Sequence, residues 1–515
     1  PRAMIFASWG ACKHYHSDLY QRAMILLMSL TGNQGKAGSG VRIAAWWGMD
    51  GLEALANGLF TTADKIKMIP KAIRGLTPRD YEDIFIGISE KEANTPMIVF
   101  LYVHGGYKEM WDKPHLQDPA LPRNIAQYMR ESIDKGWTKV HPPEDRTPKA
   151  YIFTGCNPLR RWPSPQIAKK HLWPKFDVIV SVNFRMSTSS LFADYVLPVA
   201  AYYEKYGIKY GQTYVPYIIT SDKATEPLGE AKSDWEIFGL LSKTISERAK
   251  VRNIGPVRGF KDQPHDLTKV YENHTENGKY DPTDPEDPVK LMDAIFAGSP
   301  SVGADNGRDA LKMGAVPVIG TGRPSLIYQN YSDYDPKDTH WPHRDFVEKK
   351  VAWPTLTGRQ QFYIDHPWFI EGGESLPTHK PPPHAGSKYP LRMYGGHNRW
   401  SIHAIWRDVK LLLRLQRGQP VCWIGPEESE KRGIKDGDMV RVFNHNGTFE
   451  CMAKVSAMTA PGEIIVYHAW EPYQFKDWQG QQEPVEAPWK ALHLAGGYHH
   501  IHYRMYYGGP SHAPR

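Results

Sequence analysis

The sequence has few cysteines and no long apolar run. Its 515 residues include only four cysteines, Cys12, Cys156, Cys422 and Cys451, which are far apart. No CxxC pair and no local set of cysteine and histidine has zinc-finger spacing, which argues against a zinc site or an all-cysteine iron–sulfur cluster held within this chain. The longest apolar candidate, residues 23–30, is much shorter than the roughly 18 residues that read as a membrane-spanning helix. The chain is therefore not expected to span a membrane by itself.

The charge is nearly balanced, with 63 basic and 56 acidic residues and a formal net charge of +7. No basic block is long enough to form a nucleic-acid-binding stripe with interleaved aromatic residues, so nucleic acid is not an expected partner. The content of hydrophobic residues (41%) and charged residues (23%) is that of a globular protein, apart from an excess of Trp (17) and Tyr (28). At roughly 150 residues per domain, the length allows about three domains with a large core.

In the first half of the chain, strand patterns alternate with helix patterns. The predicted strands cover residues 4–7, 149–154 and 177–182, and the predicted helices cover residues 18–30 and 164–170. This alternation predicts an α/β fold with a mostly parallel sheet. Ligands of such sheets bind at the turns that follow the carboxyl ends of the strands.

The second half changes character twice. From about residue 252 to 343 the sequence is rich in Asp, Pro, Gly and His, which predicts a long excursion with little regular structure. It either lines an access path or is a surface insertion without a role. From about residue 389, short strand patterns and a hairpin turn at residues 445–447 predict a compact barrel of six strands or similar. The predicted domains are residues 1–250, 251–388 (excursion and linker) and 389–515.

Polar residues follow two of the predicted strands. They are Gly155, Cys156 and Asn157 after one strand, and Asn183 and Arg185 after the next. Backbone amides at the first turn could hold an anion, although an ordinary strand-to-helix turn is the alternative. The turn has neither the GxGxxG glycines nor a following Gly-Lys-Ser, so neither a Rossmann dinucleotide site nor a P-loop is supported. Asp194, just beyond, either contacts the same ligand or caps the chain locally.

The densest polar and aromatic cluster lies near the predicted barrel. It consists of Gly395, Gly396, His397, Asn398, Arg399, Trp400, Ser401 and His403. Two glycines permit close approach of the backbone, and five side chains can donate hydrogen bonds, which indicates a site for a polyanion. A zinc pair from His397 and His403 is disfavoured by their spacing.

A second histidine-rich run covers residues 493–504 and has no nearby cysteine or carboxylate partner. Hydrogen bonding in a buried polar loop is therefore favoured over metal binding. The sequence shows no recognisable Ser-His-Asp catalytic triad and no pair of neighbouring catalytic carboxylates. The sequence indicates a chain that binds something large, not one whose own side chains carry out bond chemistry.

Several segments of the sequence resemble molybdopterin oxidoreductases of the dimethyl sulfoxide reductase type. They are residues 15–38, ending in LTGNQGKAG, residues 154–158 (TGCNP), residues 193–198 (ADYVLP) with 204–207 (EKYG), residues 226–236 (EPLGEAKSDWE) and residues 433–438 (GIKDGD). Residues 353–366, 470–476 and 493–504 resemble the branch that groups nitrate reductase, nitrite oxidoreductase, selenate and (per)chlorate reductases, dimethyl sulfide dehydrogenase and ethylbenzene dehydrogenase. The sequence as a whole is most similar to those of nitrite oxidoreductase catalytic subunits.

The resemblance implies a catalytic subunit in which two molybdopterin guanine dinucleotides hold molybdenum, with a carboxy-terminal barrel of the double-psi type. The family pattern puts Gly155, Asn157, Asn183, Arg185 and Asp194 at one nucleotide, with Cys156 in the same turn, and the Gly395–His403 loop at pterin and phosphate. Trp470, Glu471, Lys476 and His493 are expected along the same cofactor wall. The loop carrying Trp9, Gly10 and Lys13 is expected to make the nearest approach to the metal. His14 and His16 are candidates for positioning an anion or transferring a proton, with a structural role as the alternative.

The sequence departs from the family pattern in one respect. The family's amino-terminal cysteine motif for a 4Fe-4S cluster and the Asp that ligates molybdenum in this branch lie upstream of the matching helix, and neither is present. The sequence opens on Pro1-Arg2-Ala3 without an initiator Met, so we expect a segment that corresponds to the carboxy-terminal half of such a subunit. No residue of this segment is expected to ligate the metal.

The resemblance also implies partners and a reaction. The expected partners are the amino-terminal half of the same subunit, an iron–sulfur electron-transfer subunit, a haem b subunit and a small oxyanion substrate. Oxidation of nitrite to nitrate is the leading reaction. Selenate or (per)chlorate reduction and hydrocarbon hydroxylation are alternatives within the family, and a non-catalytic scaffold subunit is an alternative of another class. Analogy favours the periplasm or the extracytoplasmic face of the membrane, with the cytoplasm as the alternative.

Overall fold

The protein is described here from a computed structural model. It describes residues 2–7, 11, 14–42, 95–138, 140–210, 217–258, 264–299, 302–318, 343–353, 357–383, 388–401, 403–468 and 470–496, with isolated positions between 66 and 73. Within these ranges, no helix combines the length and the apolar character required to cross a membrane.

A short parallel pair of strands accompanies the first helix. β1 (Met4–Phe6) pairs with β2 (Gly40–Arg42), and α1 (Ser17–Leu30) matches the predicted helix to within one residue. The turn after α1 requires glycine at Gly35, which has φ +70° and whose Cβ would lie 2.4 Å from the Val347 side chain. The LTGNQGKAG segment is thus a tightly packed helix end.

Three helices and the largest core follow. The helices are α2 (Met97–Val103), α3 (Lys108–Trp111) and α4 (Ile125–Asp134). Asn124 and Gln127 form a capping box at the start of α4. The core takes up much of the aromatic excess, including Tyr107, Trp111, Tyr128, Trp368 and Trp489.

The predicted parallel sheet is confirmed. β3 (Ala150–Thr154), β4 (Val178–Asn183) and β5 (Tyr195–Pro198) form a three-stranded parallel sheet in that order. The helices α5 (Pro158–Arg161), α6 (Pro165–His171) and α7 (Thr188–Leu191) lie in its connections. Because the strands are parallel, the turns after Thr154 and Asn183 lie at the same edge.

The middle of the chain holds more regular structure than predicted. Its elements are β6 (Gly207–Tyr210), β7 (Tyr217–Ser221), α8 (Asp234–Val251), β8 (Val257–Arg258), β9 (Pro264–His265), α9 (Val270–His274), α10 (Asp287–Ala297), α11 (Gly307–Met313), β10 (Ala315–Pro317), α12 (Arg344–Val347) and α13 (Pro367–Glu371). β10, β7 and β6 form an antiparallel sheet, and a small core joins Ile218 to Met292, Phe296 and Val316.

The expectation of little regular structure is therefore wrong for residues 287–317. The Asp/Pro-rich composition masked a helical pattern, in which Val289, Met292, Ile295 and Phe296 recur on one face of α10 and are buried. The boundaries of the three predicted domains stay a prediction.

The last part of the described chain is a five-stranded mixed sheet. Its elements are β11 (Arg392–Tyr394), α14 (Lys410–Leu415), β12 (Val421–Ile424), α15 (Pro426–Lys431), β13 (Met439–Phe443), β14 (Thr448–Val455) and β15 (Glu463–Val466). The strand order is β11-β15-β12-β14-β13, and the residue 445–447 turn joins β13 to β14 as predicted. A closed six-stranded barrel is not confirmed, because the described residues form a curled sheet of five strands with β11 and β13 at its edges.

Candidate functional site

One buried carboxylate joins the parallel sheet to the carboxy-terminal sheet. Glu471 is fully buried in the segment after β15. The Asn157 amide donates to both of its carboxylate oxygens at 2.9 Å, and Thr188 donates through its backbone N–H at 3.0 Å and its hydroxyl at 2.7 Å. Arg185 Nη1 completes the set at 3.3 Å from Oε1. We call Asn157, Arg185, Thr188 and Glu471 the Glu471 junction.

Two further arginines, Arg160 and Arg407, lie near this junction beside Arg185. The buried side chain of Arg407 lies over the Trp470 ring at 4.3 Å. In the described part of the chain, neither Arg160 nor Arg407 has a carboxylate within 4.0 Å. Burial lowers the pKa of each to about 10. Repulsion from Arg161 and Arg185 contributes to the lowered pKa of Arg160, and repulsion from Arg160 contributes to that of Arg407. The region is therefore electropositive and short of anions.

The histidine-rich loop adjoins the arginines. His397, His403 and His468 lie together, with ring centroids 4.4 to 5.3 Å apart. His468 Nδ1 lies 2.6 Å from the Gly396 carbonyl, which can only accept, so this nitrogen carries the proton. The other ring nitrogen, 3.0 Å from His403 Nδ1, is then the acceptor. Burial lowers the pKa of His468 to about 3, so the ring is neutral at physiological pH.

Several hydrogen-bond donors in this region lack an acceptor. The Nε atoms of Arg160, Arg185 and Arg407 and the Ser401 hydroxyl are buried and have no hydrogen-bond partner among the residues that the structure describes. Buried donors ordinarily have acceptors, so an acceptor-rich ligand is what this region lacks. The phosphate oxygens of a nucleotide would supply both the acceptors and the missing negative charge.

The turns predicted to bind the ligand lie where the sequence indicated. Gly155 has φ +60°, so the sharp turn after β3 needs glycine. Asn183 ends β4 at the same edge and is buried. Cys156 is a free, half-buried thiol, and burial raises its pKa to about 11, which keeps it a thiol and not a thiolate.

The Gly395–His403 loop lies partly in solvent. Arg399 lies over the Trp400 ring at 4.9 Å, and Asn398 accepts a hydrogen bond from the Trp400 backbone at 3.2 Å. Gly396 is tightly placed, since a Cβ there would lie 3.0 Å from the Tyr467 ring. The structure thus brings this loop to the arginines, as the polyanion hypothesis requires.

Two of the predicted contact residues have other partners in this structure, and their contact with a ligand stays a prediction. Asp194 lies at the amino end of the parallel sheet, where its carboxylate accepts from the Ile179 N–H at 2.7 Å, because it precedes β5 and does not follow a strand. Lys476 is exposed and pairs with Glu450 of β14 at 3.1 Å, so its ammonium group faces solvent.

His16 and His493 form a second group around α1. Lys490, almost fully buried, bonds to Asp18 at 2.8 Å and to Glu374, and His493 lies 3.7 Å from Asp18. His16 lies 3.6 Å from Glu374 and 4.0 Å from Asp118. Burial and the charge of Lys490 lower the pKa of His16, which favours its neutral form. A buried ionic network therefore holds these two predicted histidines.

The remaining predicted residues are less constrained. His14 is exposed just before α1. Its backbone carbonyl accepts a hydrogen bond from the Ser17 N–H at 3.0 Å. Trp9, Gly10 and Lys13 lie outside the described residues. Trp470 is buried in the carboxy-terminal core, and its place along the cofactor wall stays a prediction.

Sequence reasoning missed several residues of the site. They are Arg160, Thr188, Arg407 and His468 near the junction, and Asp118, Glu374 and Lys490 near α1. Arg160 lies three residues after Asn157 in the same turn, a proximity that could have drawn attention to it. The others carry no local signal, since only the fold brings them together.

The site thus belongs to the class that binds a large polyanionic cofactor between an α/β unit and a β unit. Residues 2–244 match the family described as Molybdopterin oxidoreductase, and residues 391–484 match the family described as Molydopterin dinucleotide binding domain. The chain belongs to the molybdopterin oxidoreductases of the dimethyl sulfoxide reductase family.

Curated relatives support this membership. The respiratory nitrate reductase subunit alpha of Haloferax mediterranei is 33% identical over 99% of this chain and 49% of its own length. The perchlorate reductase subunit alpha of Dechloromonas aromatica is 30% identical over 99% of this chain and 50% of its own length. The dimethylsulfide dehydrogenase subunit alpha of Rhodovulum sulfidophilum is 30% identical over 98% of this chain and 52% of its own length. The chain spans about half the length of these relatives.

The cofactor of these domains is molybdenum bis(molybdopterin guanine dinucleotide), and the residues present fit its nucleotide part. Buried arginine and serine donors without acceptors, the glycine turn at Gly155 and the neutral His468 ring match phosphates and ring edges. Among the described residues, the parts of the site that fit best are those around Glu471 and Gly396.

Proposed function

We propose that this chain is part of the catalytic alpha subunit of a molybdenum oxidoreductase that transfers an oxygen atom to or from a small oxyanion. The observation that carries the proposal is the set of buried, acceptor-free arginine donors beside the Glu471 junction. Bound cofactor supplies the two-electron chemistry, while protein groups bind and neutralise it. Relatives named for nitrate, perchlorate and chlorate reduction favour an oxyanion as substrate.

The leading reaction is the interconversion of nitrite and nitrate. In the oxidative direction, nitrite and water give nitrate, two protons and two electrons. His16 and His14 are our candidates for positioning the anion or moving a proton, since the His16 ring, whose neutral form is favoured, lies 3.6 Å from Glu374 and 4.0 Å from Asp118. Glu471 holds the turns that carry Asn157 and Arg185. We expect the backbone of the first turn and the Arg185 Nε, which has no acceptor among the described residues, to meet the nucleotide without reorganising.

We further propose partners for the assembly. A 4Fe-4S cluster and the molybdenum ligand would come from residues that precede this segment in the subunit, and electrons would pass to an iron–sulfur subunit and, in some assemblies, a haem b subunit. The predicted double-psi barrel would be the closed form of the curled five-stranded sheet. The predicted boundaries near residues 250 and 389 are kept as part of this proposal.

The alternative reactions are selenate or (per)chlorate reduction and hydrocarbon hydroxylation, and the alternative of another class is a scaffold subunit without cofactor. The electropositive arginines favour the enzyme, because a scaffold gains nothing from buried, unneutralised guanidinium groups.

The test is metal and nucleotide analysis of the purified assembly that contains this chain. We expect one molybdenum and two guanine nucleotides per chain, and nitrite oxidation or nitrate reduction with dye electron carriers. Arg160→Met should lower the molybdenum content at least tenfold, whereas Arg252→Met, on the exposed end of α8, should not. An assembly with neither molybdenum nor guanine nucleotide would refute the enzyme and favour the scaffold. Full cofactor with activity only on selenate, chlorate or a hydrocarbon would refute the nitrite assignment alone.

A further inference from the structure

A cluster of two histidines and one glutamate lies outside the cofactor site. His115 Nε2 lies 2.9 Å from Glu486 Oε1, and His445 Nε2 lies 2.6 Å from the same oxygen. The two imidazole rings meet edge to face, with centroids 5.1 Å apart. We call these three residues the His115 cluster.

The carboxylate of this cluster lacks a strong counter-charge. The Glu486 side chain is only 4% exposed, and its ion-pair partners among the described residues are the two histidines. Histidine, unlike lysine and arginine, carries no permanent positive charge. A buried carboxylate is costly unless a positive charge lies close by, so this position favours a bound cation.

The three side chains come from segments that are far apart in sequence and firmly held. His115 and Glu486 are separated by 371 residues. Trp111 Nε1 donates to the Glu486 carbonyl at 3.0 Å, and Asn444 donates to the Pro484 carbonyl at 2.6 Å. A Cβ at Gly447 would lie 2.6 Å from the Glu483 carbonyl, so the β13–β14 hairpin packs directly on the segment that carries Glu486. The donors are therefore preorganised.

The cluster is open to solvent on one side. The two histidine side chains are each 31% exposed above the buried carboxylate. An ion can enter from this side, and a water molecule can complete its coordination.

We propose that His115, His445 and Glu486 bind one divalent transition-metal ion, with Zn²⁺ as the best match, through Nε2, Nε2 and Oε1. Two imidazoles and one carboxylate are a donor set that suits zinc, with water in the fourth position. The donor atoms all lie within 4.8 Å of one another. Tetrahedral zinc needs donor separations of about 3.3 Å, given metal–ligand distances of about 2.0–2.1 Å, so small side-chain shifts suffice. The ion links the turn at Pro114–Leu116 to the hairpin and to the segment after β15.

The other two His and carboxylate clusters suit a cation less well. His397, His403 and His468 lie beside Arg160 and Arg407, whose positive charges repel an ion. In the group of His16, Asp118 and Glu374, the glutamate is already paired with the ammonium groups of Lys490 and Lys380. The His115 cluster is the one without such a cation at its carboxylate.

Zinc content and anomalous diffraction test the proposal on the purified assembly. After equilibration with Zn²⁺ and removal of loosely bound ions, we expect one zinc per chain and an anomalous peak at the zinc edge between the three donor atoms. His115→Gln and His445→Gln should each weaken Zn²⁺ binding at least tenfold. The matched control His265→Gln, an exposed histidine of β9, should bind zinc like the wild type.

Two results would overturn the proposal. One is a structure at saturating Zn²⁺ in which both histidines still bond directly to Glu486 without an ion. The other is zinc that is lost in His403→Gln but kept in both His115 and His445 variants. If a variant folds poorly, the wild type alone still tests Zn²⁺ binding, because its thermal unfolding midpoint should rise with Zn²⁺ concentration. Molybdenum content is measured separately, so failure here leaves the proposed function untouched.

Discussion

The Glu471 junction gives the sharpest test of how the two sheets are held together. The substitution Glu471→Gln keeps the volume of the side chain but removes its charge and turns one acceptor into an N–H₂ donor. Every contact of the two oxygens is with a donor: Asn157, Thr188 and Arg185. Whichever way the new amide is turned, a donor therefore faces a donor.

The expected cost follows from these contacts. Removing one partner of a buried ion pair costs about 3–5 kcal/mol, and hydrogen bonds to charged groups contribute about 1.5–3 kcal/mol each without being additive. Arg185 keeps a second carboxylate, Asp408, at 3.2 Å, which lowers the cost. We therefore expect a loss of about 3 kcal/mol, which is about a hundredfold in a local opening equilibrium.

Native-state hydrogen exchange is the appropriate assay, because a chain of several units need not unfold in one step. The amides of Thr188 and Ser189 should exchange about a hundredfold faster in Glu471→Gln. Glu450→Gln, which alters an exposed pair with Arg441 and Lys476, is the matched control and should leave those amides unchanged. Less than a fivefold acceleration in Glu471→Gln would refute the reasoning, as would an equal effect in the control.

Three further predictions concern two buried carboxyl groups and one glycine. Burial raises the pKa of Glu483 to about 7 from 4.5, so stability falls as pH rises between these values. In native-state hydrogen exchange of the nearby Val485 amide, Glu483→Gln should match the wild type at pH 4 and be more stable by about 3 kcal/mol at pH 8; equal stability at both would contradict this. Burial raises the pKa of Asp18, but His493 and Lys490 outweigh it and hold this pKa well below 3.8. Asp18 should therefore contribute its full stability above about pH 4, and the protein should become less stable as the solution is acidified. The stability of Asp18→Asn should depend less on pH over this range. Gly396→Ala, with its Cβ 3.0 Å from the Tyr467 ring, should lower molybdenum content severalfold, while Gly255→Ala, with open space around it, should not; equal contents would rule out a steric role.

Regular elements could be predicted well from sequence because their signals are local. The strands Ala150–Thr154 and Val178–Asn183 and the helix α1 differ from their predicted bounds by one residue at one or both ends, since periodicity and turn residues decide these elements. α10 was missed because the surrounding Asp and Pro residues outweighed four apolar residues at helical spacing. The number of strands in the last sheet depends on whether the sheet closes into a barrel, and no local sequence pattern determines this.

Residues of the site could be predicted only where they belong to a recognisable sequence motif. The turns at Gly155 and Gly396 and the residue Glu471 stand in recognisable segments, and the structure brings all three together. Arg407 and His468 have no such signal, because their role comes from neighbours more than 200 residues away in the α/β unit. Asp194 and Lys476 show the converse: a residue can stand in a family motif and yet direct its side chain elsewhere.

The distance along the chain between Asn157 and Glu471 has a consequence for biogenesis. These partners are 314 residues apart, so the junction cannot form on a growing polypeptide until nearly all of the described segment has been synthesised. The α/β unit can fold earlier, since units generally fold in order of synthesis. During that interval its arginine-bearing edge lacks the contacts of Glu471. Docking of the later segment then supplies the carboxylate that holds Asn157, Arg185 and Thr188 in place, so this edge acquires its final geometry only late in synthesis.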